Sequence, residues 1–370
     1  MRVLHLTSHL NVGGITSYVL SLSSALSLKG HDVLIASGGG ELEERAMALG
    51  LSHWKYPLRT SASLSPQVLW SAWRLAQRMR RERMDVVHAH TRVGQVAASL
   101  LALWRGVPWV ATWHGFYRRR LGRRLWPATG DLTIAISEPV RQSLIERFRV
   151  PAADIRLIPN GIEAAAFMGT PDPSAQARLR DRVRLPADAR VIGTIARLVP
   201  SKGVEALIDA LPHVRSAVPK THLLVVGDGE SRDSLARRAV ERGVIESVHF
   251  AGTLPETRTA LSLMEVFVFL PAREEGFGLS LLEAMAAARP IVAVRRGGGA
   301  PWVLQESGVG RLVEPGDARE LARAIGALLT DRGAAAQNAA QGRVAVEARY
   351  TMARVAEQVE AVYQELVRWR

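Results

Sequence analysis

The stretch from Val266 to Ala288 constrains the fold most strongly, because an apolar strand pattern, a glycine turn and a helix pattern follow closely on one another. Val266 to Leu270 is β-branched and aromatic, which predicts a buried strand. Leu279 to Ala288 has the apolar spacing and the alanine content of a helix. The turn E-G-F-G at 275–278 therefore joins a strand to a helix, as in α/β proteins.

The same turn predicts a ligand site. Two glycines let the backbone approach a ligand closely, and the unpaired N–H groups at a helix start attract polar or anionic groups. Glu275 and Glu283 bracket the turn, and carboxylates accept hydrogen bonds from hydroxyls. They could hold two hydroxyl clusters of one molecule, such as a sugar joined to a ribose. Alternatively, they are a helix-start acid and a surface glutamate.

Strand and helix patterns alternate along the whole chain. Such alternation predicts parallel sheets with helices on both faces, and the Pro-containing stretch at 161–187 predicts a linker between two such units. The strand patterns lie at 2–7, 32–37, 85–89, 108–113 and 132–136, and then at 191–196, 222–226, 248–250, 266–270, 291–294 and 311–313. The helix patterns of the first half lie at 14–29, 66–83, 93–104 and 138–148, and an amphipathic helix at 351–369 ends the chain.

Composition limits the kind of protein. With 370 residues, 48% of them hydrophobic, the chain can bury two cores. The absence of cysteine excludes disulfides and thiolate chemistry. Apolar runs are too short for a membrane-spanning helix, and the N-terminus opens on a strand pattern rather than a secretory signal. These features predict a cytoplasmic protein, soluble or peripheral at the inner face of a membrane.

Basic residues are concentrated in the first half of the chain. The net charge is +13, and the excess clusters at 74–83 and 118–126, the latter preceded by aromatic residues. Such a surface suits anionic lipid headgroups, although it would also attract nucleic acid or form a solvated helix face. No nucleic-acid-binding motif accompanies the charge, so no nucleic acid is expected. The predicted membrane or acceptor surface consists of Arg118, Arg119, Arg120, Arg123 and Arg124.

Candidate ligand-binding residues follow predicted strands. Open parallel sheets bind ligands at the carboxyl ends of their strands, and two facing sheets would enclose a cleft there. Gly13 and Gly14 precede a helix start that suits a phosphate or a sugar. Arg197 and Lys202 could converge on one diphosphate. A turn glycine pair and surface charges on a loop are the structural alternatives.

His114 follows V-A-T-W at another predicted strand end and could donate a hydrogen bond to a sugar oxygen. A lone histidine is more often structural than functional. His90 and Glu138 occupy similar loop positions and are weaker candidates.

Many motifs follow one another in a fixed order. M-R-V-L-H-L-T-S with Gly13-Gly14, D-V-V-H-A-H, W-H-G, A-I-S-E, I-P-N-G-I, A-R-L-V-P-S-K-G and V-G-D-G precede E-E-G-F-G-L-S-L-L-E, G-G-G-A-P and G-V-G-R-L-V. This order resembles the retaining glycosyltransferases of family 4, and the resemblance extends from residue 1 to about residue 365.

The resemblance implies a fold and an activity. The fold would be GT-B, in which two Rossmann-like doubly wound domains face an interdomain cleft. Residues 1–162, joined by the helix at 351–370, would bind the acceptor, and residues 163–350 would bind the donor. The protein would transfer a hexosyl group, with retention, from a UDP- or GDP-linked sugar to a glycan or lipid-linked acceptor. The pathway would be bacterial cell-envelope polysaccharide or lipopolysaccharide synthesis.

The resemblance also implies roles for the candidates. Arg197, Lys202 and helix N-termini would stabilise the departing diphosphate without a metal or a cofactor. His114 and Glu275 would bind the transferred sugar, and Glu283 would bind the ribose. The remaining donor-binding residues would be Gly13, Gly14, Gly227, Gly276, Phe277, Gly278 and Leu279.

One residue departs from the family's pattern. Trp302 follows Pro301 where relatives usually carry glutamate, so the identity of the donor stays open. Three alternatives follow from the sequence: an inactive scaffold of the same fold, a sugar-nucleotide epimerase, and a nucleic-acid binder that would explain only the charge. The nucleotide base, the sugar, the acceptor and the oligomeric state are not specified by any pattern.

Overall fold

The computed structural model describes residues 1–118, 122–123, 126–169, 171–296 and 298–368. The chain forms two compact units. The first unit comprises Met1–Ile162 together with Met352–Arg370, and the second comprises Glu163–Thr351. Each is an α/β unit around one parallel sheet, so the predicted fold class of two Rossmann-like domains is confirmed.

The first unit contains a sheet of seven strands in the order β3-β2-β1-β4-β5-β6-β7. All of its strand pairs are parallel. The strands are β1 (Arg2–Leu6), β2 (Asp32–Ser37), β3 (Ser52–Lys55), β4 (Val86–Ala89), β5 (Trp109–Trp113), β6 (Leu132–Ala135) and β7 (Ile155–Leu157). The helices are α1 (Gly14–Leu28), α2 (Glu43–Ala48), α3 (Pro66–Arg78), α4 (Arg92–Arg105), α5 (Glu138–Phe148) and, from the end of the chain, α14 (Met352–Arg368).

The last helix completes the core of the first unit. Helix α14 carries an apolar stripe at helical spacing that packs with α1 against one face of the sheet. The buried members of this stripe are Met352, Val355, Ala356, Val359, Val362, Tyr363 and Leu366. On the sheet, alternate residues of β1 and β4, such as Val3 and Val86, face the same core, as the two-residue period of a strand requires.

The second unit repeats the topology with six parallel strands in the order β10-β9-β8-β11-β12-β13. The strands are β8 (Arg190–Ile195), β9 (Thr221–Val226), β10 (Val248–Gly252), β11 (Val266–Phe269), β12 (Ile291–Val294) and β13 (Arg311–Val313). The helices are α6 (Pro173–Arg182), α7 (Val204–Ala217), α8 (Arg232–Glu241), α9 (Arg258–Leu263), α10 (Leu279–Ala286), α11 (Gly299–Ser307), α12 (Ala318–Thr330) and α13 (Arg332–Arg349).

Some elements differ from the sequence prediction, among them the short helix α2, which was not predicted. Strands β3 and β7 were not predicted; both are short and form the two edges of their sheet, where polar residues weaken the apolar signal. The predicted linker at 161–187 contains α6. This helix begins with Asp172, whose carboxylate accepts a hydrogen bond from the Ser174 N–H, and with Pro173 in its first turn.

We predict that the stripe on α14 contributes measurably to the stability of the first unit. Val359 is fully buried, whereas Val367 on the same helix is 41% exposed. Val359→Ala should lower the free energy of unfolding by about 2 kcal/mol, and the matched variant Val367→Ala by less than about 0.5 kcal/mol. Urea unfolding followed by tryptophan fluorescence measures this, since most tryptophans lie in residues 1–162. Equal losses in the two variants would contradict the packing.

Candidate functional site

In each sheet, the direction of strand addition reverses next to the first strand of that sheet. The reversal lies between β1 and β4 in the first unit and between β8 and β11 in the second. Ligands of open α/β sheets bind beyond the carboxyl ends of the strands at such a point. The loops after these four strands carry most of the predicted site residues.

In the second unit, two of these residues form an ion pair. The Lys202 ammonium donates to Oε1 of Glu275, and about a quarter of each side chain is exposed to solvent. The second carboxylate oxygen of Glu275, Oε2, is buried and has no hydrogen-bond partner among the described residues. The arrangement therefore combines a balanced charge pair with a carboxylate oxygen that lacks a hydrogen-bond partner.

The backbone around Lys202 explains this position. Pro200–Lys202 form one turn of 3₁₀ helix, and Gly203 follows in the left-handed region with φ +67°. A Cβ at Gly203 would lie 1.9 Å from the carbonyl oxygen of Leu270, so only glycine lets the loop after β8 approach the end of β11 so closely. The loop also receives a hydrogen bond of 3.0 Å from the Ala272 N–H to the Ser201 carbonyl.

The E-G-F-G turn has the predicted strand-to-helix geometry. Helix α10 begins at Leu279, preceded by Gly278 with φ +101°, a conformation that favours glycine. Gly276 is buried. The Glu275 carbonyl accepts a hydrogen bond of 2.8 Å from the Gly299 N–H, which ties the turn to the start of α11.

Phe277 belongs to the core, so the predicted ligand contact is restricted to its backbone. Its side chain is 2% exposed. The ring packs edge-on against Trp302, with centroids 6.4 Å apart, and against Tyr350 at 6.0 Å. Trp302, the residue that departs from the family's pattern, thus supports the turn from behind through an aromatic contact.

Glu283 lies in the second turn of α10 and is largely buried. Its Oε2 accepts a hydrogen bond of 2.8 Å from the Thr257 hydroxyl. Burial raises the pKa of Glu283, and the hydrogen bond from Thr257 partly opposes that rise. No sequence signal identified Thr257, because the contact joins two helices that are far apart in the sequence.

Arg197 and Gly227 lie on two loops that are joined by backbone hydrogen bonds. The Ala196 N–H donates to Val226, and the Leu198 N–H donates to Asp228. Arg197 is held between these two bonds with its side chain exposed. Its guanidinium is therefore available to an anion, whereas Lys202 is already paired.

In the first unit, the Gly-Gly loop begins α1. Gly13 precedes the first helical residue, Gly14, and both are exposed. The space that a Cβ at Gly13 would enter is open. The helix start thus offers accessible N–H groups next to the end of β1.

His114 lies after β5 and is partly exposed. Its Nε2 is 3.3 Å from Nδ1 of the buried His90, and its ring meets the edge of Tyr18 with centroids 5.0 Å apart. Burial lowers the pKa of His114 to about 3, so its imidazole is neutral at physiological pH and can donate or accept one hydrogen bond at its open side.

Behind His114 lies a cluster of buried histidines that the sequence prediction missed, apart from His90. His5, His88 and His90 are fully buried, and one ligand atom from each lies within 4.8 Å of the others. These are the described residues that could hold a metal ion. The two-residue spacing of His88 and His90 at the end of β4 was the available signal. Glu138, the other weak candidate, pairs with Arg141 in the first turn of α5.

The predicted basic surface is only partly described. Arg118 is exposed. Arg123 is partly exposed, and its guanidinium lies 4.1 Å from the ring centroid of Tyr117 and 5.0 Å from that of Trp113. Cation–π attraction and the aromatic run before it draw Arg123 inward. Arg119, Arg120 and Arg124 lie outside the described residues.

Helix α3 presents an exposed face of aromatic and basic residues. Trp70 and Trp73 are 50% and 49% exposed, and the Arg74 guanidinium lies 5.7 Å from the ring centroid of Trp70. Arg80 and Arg81 follow the helix and are also exposed. Within the described ranges, no helix is both long and apolar enough to span a membrane.

Two family models match the chain. The model described as Glycosyltransferase Family 4 matches residues 12–166, and the model described as Glycosyl transferases group 1 matches residues 175–344.

Two curated proteins illustrate the relatives. A GDP-mannose-dependent alpha-(1-6)-phosphatidylinositol monomannoside mannosyltransferase of Mycolicibacterium smegmatis is 36% identical over 234 residues, which are 61% of this chain and 58% of that protein. The match thus spans less than two thirds of that relative. A glycogen synthase of Mycobacterium tuberculosis is 29% identical over 95% of this chain and 91% of its own length.

Solved structures share the fold over nearly the whole chain. A glycosyltransferase from Rickettsia africae superposes with a TM-score of 0.88 at 19% identity, covering 99% of this chain and 98% of its own. The Anabaena protein Alr3699/HepE in complex with UDP-glucose superposes with a TM-score of 0.84 at 22% identity, covering 99% and 100%. Both comparisons support the two-domain architecture.

We predict that the buried histidines make the first unit acid-labile. The folded pKa of His5 is about 3, against 6.5 for an ordinary histidine, so the unfolded chain binds more protons between these values. Stability is fully present above about pH 6.5 and falls with decreasing pH, by about 1.4 kcal/mol per pH unit for each such histidine. Urea unfolding at several pH values, followed by tryptophan fluorescence, measures the slope.

His213→Gln serves as the control, because His213 lies on the exposed side of α7. This variant should show the wild-type slope. An unfolding free energy that stays constant between about pH 7 and pH 5 would contradict the prediction.

Proposed function

Because the chain belongs to glycosyltransferase family 4, we propose that it transfers a hexosyl group from a nucleotide-diphosphate sugar to an acceptor hydroxyl with retention of configuration. The observation that carries this proposal is the pairing of Lys202 with Glu275 at the carboxyl ends of neighbouring strands. A cation for a diphosphate and a carboxylate for sugar hydroxyls lie side by side there.

The second unit supplies the donor-binding groups in this proposal. Arg197 and Lys202 neutralise the diphosphate as the anomeric C–O bond breaks, which is an electrostatic role that requires no divalent metal. The backbone of 276–279 and the start of α10 receive the sugar's distal hydroxyls together with Glu275. Glu283, oriented by Thr257, accepts hydrogen bonds from the ribose hydroxyls.

The first unit supplies groups for the transferred sugar and the acceptor. His114 donates to a sugar oxygen, and the Gly13–Gly14 loop leaves room for a sugar or phosphate against the N-terminus of α1. In this proposal the leaving phosphate of the donor deprotonates the acceptor hydroxyl, and the reaction needs no protein nucleophile. No carboxylate is therefore assigned as the base or the nucleophile.

The relatives suggest which acceptors and donors to test. One relative acts on a phosphatidylinositol mannoside with GDP-mannose, and a Rhizobium meliloti relative is a lipopolysaccharide core glycosyltransferase. A lipid-linked acceptor in cell-envelope glycan synthesis is therefore proposed. GDP-mannose and UDP-glucose are the first donors to compare, since a neighbour of the same fold is solved with UDP-glucose.

We predict that Lys202 is required for donor cleavage. Lys202→Ala should lower the rate of donor hydrolysis or transfer by about 10²- to 10³-fold, because one preorganised charge on the leaving group is lost. The matched control is Lys220→Ala. Lys220 also pairs with a carboxylate, that of Asp188. However, it directly precedes β9, so it lies at the amino ends of the parallel strands, away from the carboxyl ends where Lys202 lies. The control should retain the wild-type rate.

A panel of nucleotide sugars, screened for thermal stabilisation and for hydrolysis without acceptor, identifies the donor. A stabilised protein that never cleaves its ligand would favour the scaffold, and an altered free sugar nucleotide formed without acceptor would favour an epimerase. A protein that no nucleotide sugar stabilises would contradict the proposal, since a ligand at a hundred times its Kd stabilises by about 2.7 kcal/mol.

We also propose that α3 docks the protein on an anionic membrane. Trp70 and Trp73 lie three residues apart and share one helix face, beside Arg74. Tryptophan favours the headgroup region of a bilayer, and basic residues are attracted to anionic lipids by about 1 kcal/mol each. A lipid-linked acceptor would be reached from such a surface.

Vesicle sedimentation tests the docking. The protein should bind vesicles that contain anionic lipid and not neutral ones, and Arg80→Glu with Arg81→Glu should weaken binding by about thirtyfold or more. Arg319→Glu with Arg323→Glu on α12 makes the same change in charge at exposed positions of the second unit and should leave binding unchanged. Equal weakening by both pairs would indicate that only net charge matters.

A further inference from the structure

A continuous chain of side chains leads from the core of the first unit to His114. Thr112 Oγ1 is 2.6 Å from His88 Nε2, and His88 Nδ1 is 2.6 Å from the Tyr363 hydroxyl. The Tyr363 hydroxyl is 3.4 Å from His5 Nε2. The chain continues from His5 Nδ1 to His90 Nε2 at 2.9 Å and from His90 Nδ1 to His114 Nε2 at 3.3 Å. All members except His114 are fully buried.

The geometry is that of hydrogen bonds rather than of a metal centre. Both ring nitrogens of His5, His88 and His90 have a partner within the chain. A metal ligand must present a bare lone pair to the ion, whereas each of these contacts needs a proton between its two atoms. Burial lowers the pKa of all three imidazoles, so each carries a single proton.

A single proton on each ring makes the chain directional. A neutral imidazole donates through one nitrogen and accepts through the other, so the direction of one link sets the direction of all the others. At the buried end, the Thr112 hydroxyl has His88 as its one hydrogen-bond partner among the described residues. A buried donor left unpaired costs about 1–3 kcal/mol, so Thr112 donates to His88.

The direction then carries through to the open end. His88, His5 and His90 each accept at Nε2 and donate from Nδ1, with the Tyr363 hydroxyl donating to His5. His114 accepts at Nε2 and carries its proton on Nδ1. Among the described residues, Nδ1 of His114 has no hydrogen-bond partner. This nitrogen is not buried, so a ligand or solvent can reach it.

We propose that this buried chain fixes His114 in the Nδ1–H tautomer, so that a hydrogen-bond donor always faces the bound sugar. Thr112, His88, Tyr363, His5 and His90 are positioning residues in this scheme, and His114 touches the ligand. The identity of the ligand as a nucleotide sugar rests on the proposed function, whereas the tautomer is a property of the free protein.

The tautomer can be read directly by nitrogen NMR. In protein labelled with ¹⁵N-histidine, two-bond proton–nitrogen correlations distinguish Nδ1–H from Nε2–H rings, and single His→Gln variants assign the signals. Ligand-free wild type should show His5, His88, His90 and His114 all as Nδ1–H. Thr112→Val removes the donor that sets the direction, so His114 should become a mixture of both tautomers.

Thr133→Val is the matched control. Thr133 is also buried in the sheet, and its hydroxyl donates to the Thr129 carbonyl at 2.6 Å, outside the histidine chain. This variant should leave every histidine signal in place. Tyr363→Phe, on a remote helix, should produce the same mixture at His114, and adding Thr112→Val to it should change nothing further. That result separates the chain from a local effect of residue 112 on its neighbour 114.

Ligand affinity gives a second, quantitative readout. If only the Nδ1–H form binds, the apparent Kd rises by the inverse of the fraction in that form. A variant with about one fifth Nδ1–H should therefore bind UDP-glucose or GDP-mannose about fivefold more weakly. If the buried side chains had only a structural role, the fraction of His114 in the Nδ1–H form would not predict the Kd.

Three results would overturn the proposal: an Nε2–H tautomer of His114 in wild type, a weakened Kd in Thr112→Val with an unchanged tautomer, or histidine signals that shift when metal is chelated. The expected tautomers in a protein that binds neither nucleotide sugar would support the chain and contradict the proposed function instead. The two proposals can thus fail separately.

Discussion

The close approach of Gly203 to the carbonyl oxygen of Leu270 determines the layout of the second unit's site. It holds the loop after β8 against the end of β11, and the Lys202 side chain then falls beside Glu275. A partly exposed ion pair contributes little stability by itself, so the backbone packing positions the charges rather than the reverse. The same loop is joined to the end of β9 through the hydrogen bond from Leu198 to Asp228, so it contacts the ends of both β9 and β11.

Local patterns predicted the parts of the fold whose causes are local. The run from Val266 to Leu270 and the glycine turn after it fix a strand, a turn and a helix within neighbouring residues, so the prediction there held. The edge strand Ser52–Lys55 has one buried residue, Trp54, among polar residues and gave no strand signal. The partner of Glu283, Thr257, depends on which elements the fold brings together, and no spacing in the sequence encodes that contact.

The first unit shows the same limit in its core. His5, His88 and Thr112 lie on adjacent strands at positions that face the core side covered by α14, since His5 and His88 are register partners and each lies two residues from a core valine. Buried polar groups require partners, so the sequence implies that these residues are paired. It does not reveal that one partner, Tyr363, arrives from the last helix of the chain. The core and the histidine chain therefore both depend on the return of α14.

The two units treat charge in opposite ways: the histidines around His114 are neutral, whereas Lys202 keeps its charge. Around His114, burial keeps the imidazoles neutral, and hydrogen bonds alone decide where a proton points. Lys202 stays charged, and while no ligand is bound its charge is balanced by the carboxylate of Glu275. In the proposed reaction a diphosphate takes over Lys202, and the carboxylate of Glu275 is released to accept sugar hydroxyls, so one exchange of partners prepares both ends of the donor. Lys202 and Glu275 each exchange one favourable interaction for another when the donor binds, so the reorganisation cost of binding is small.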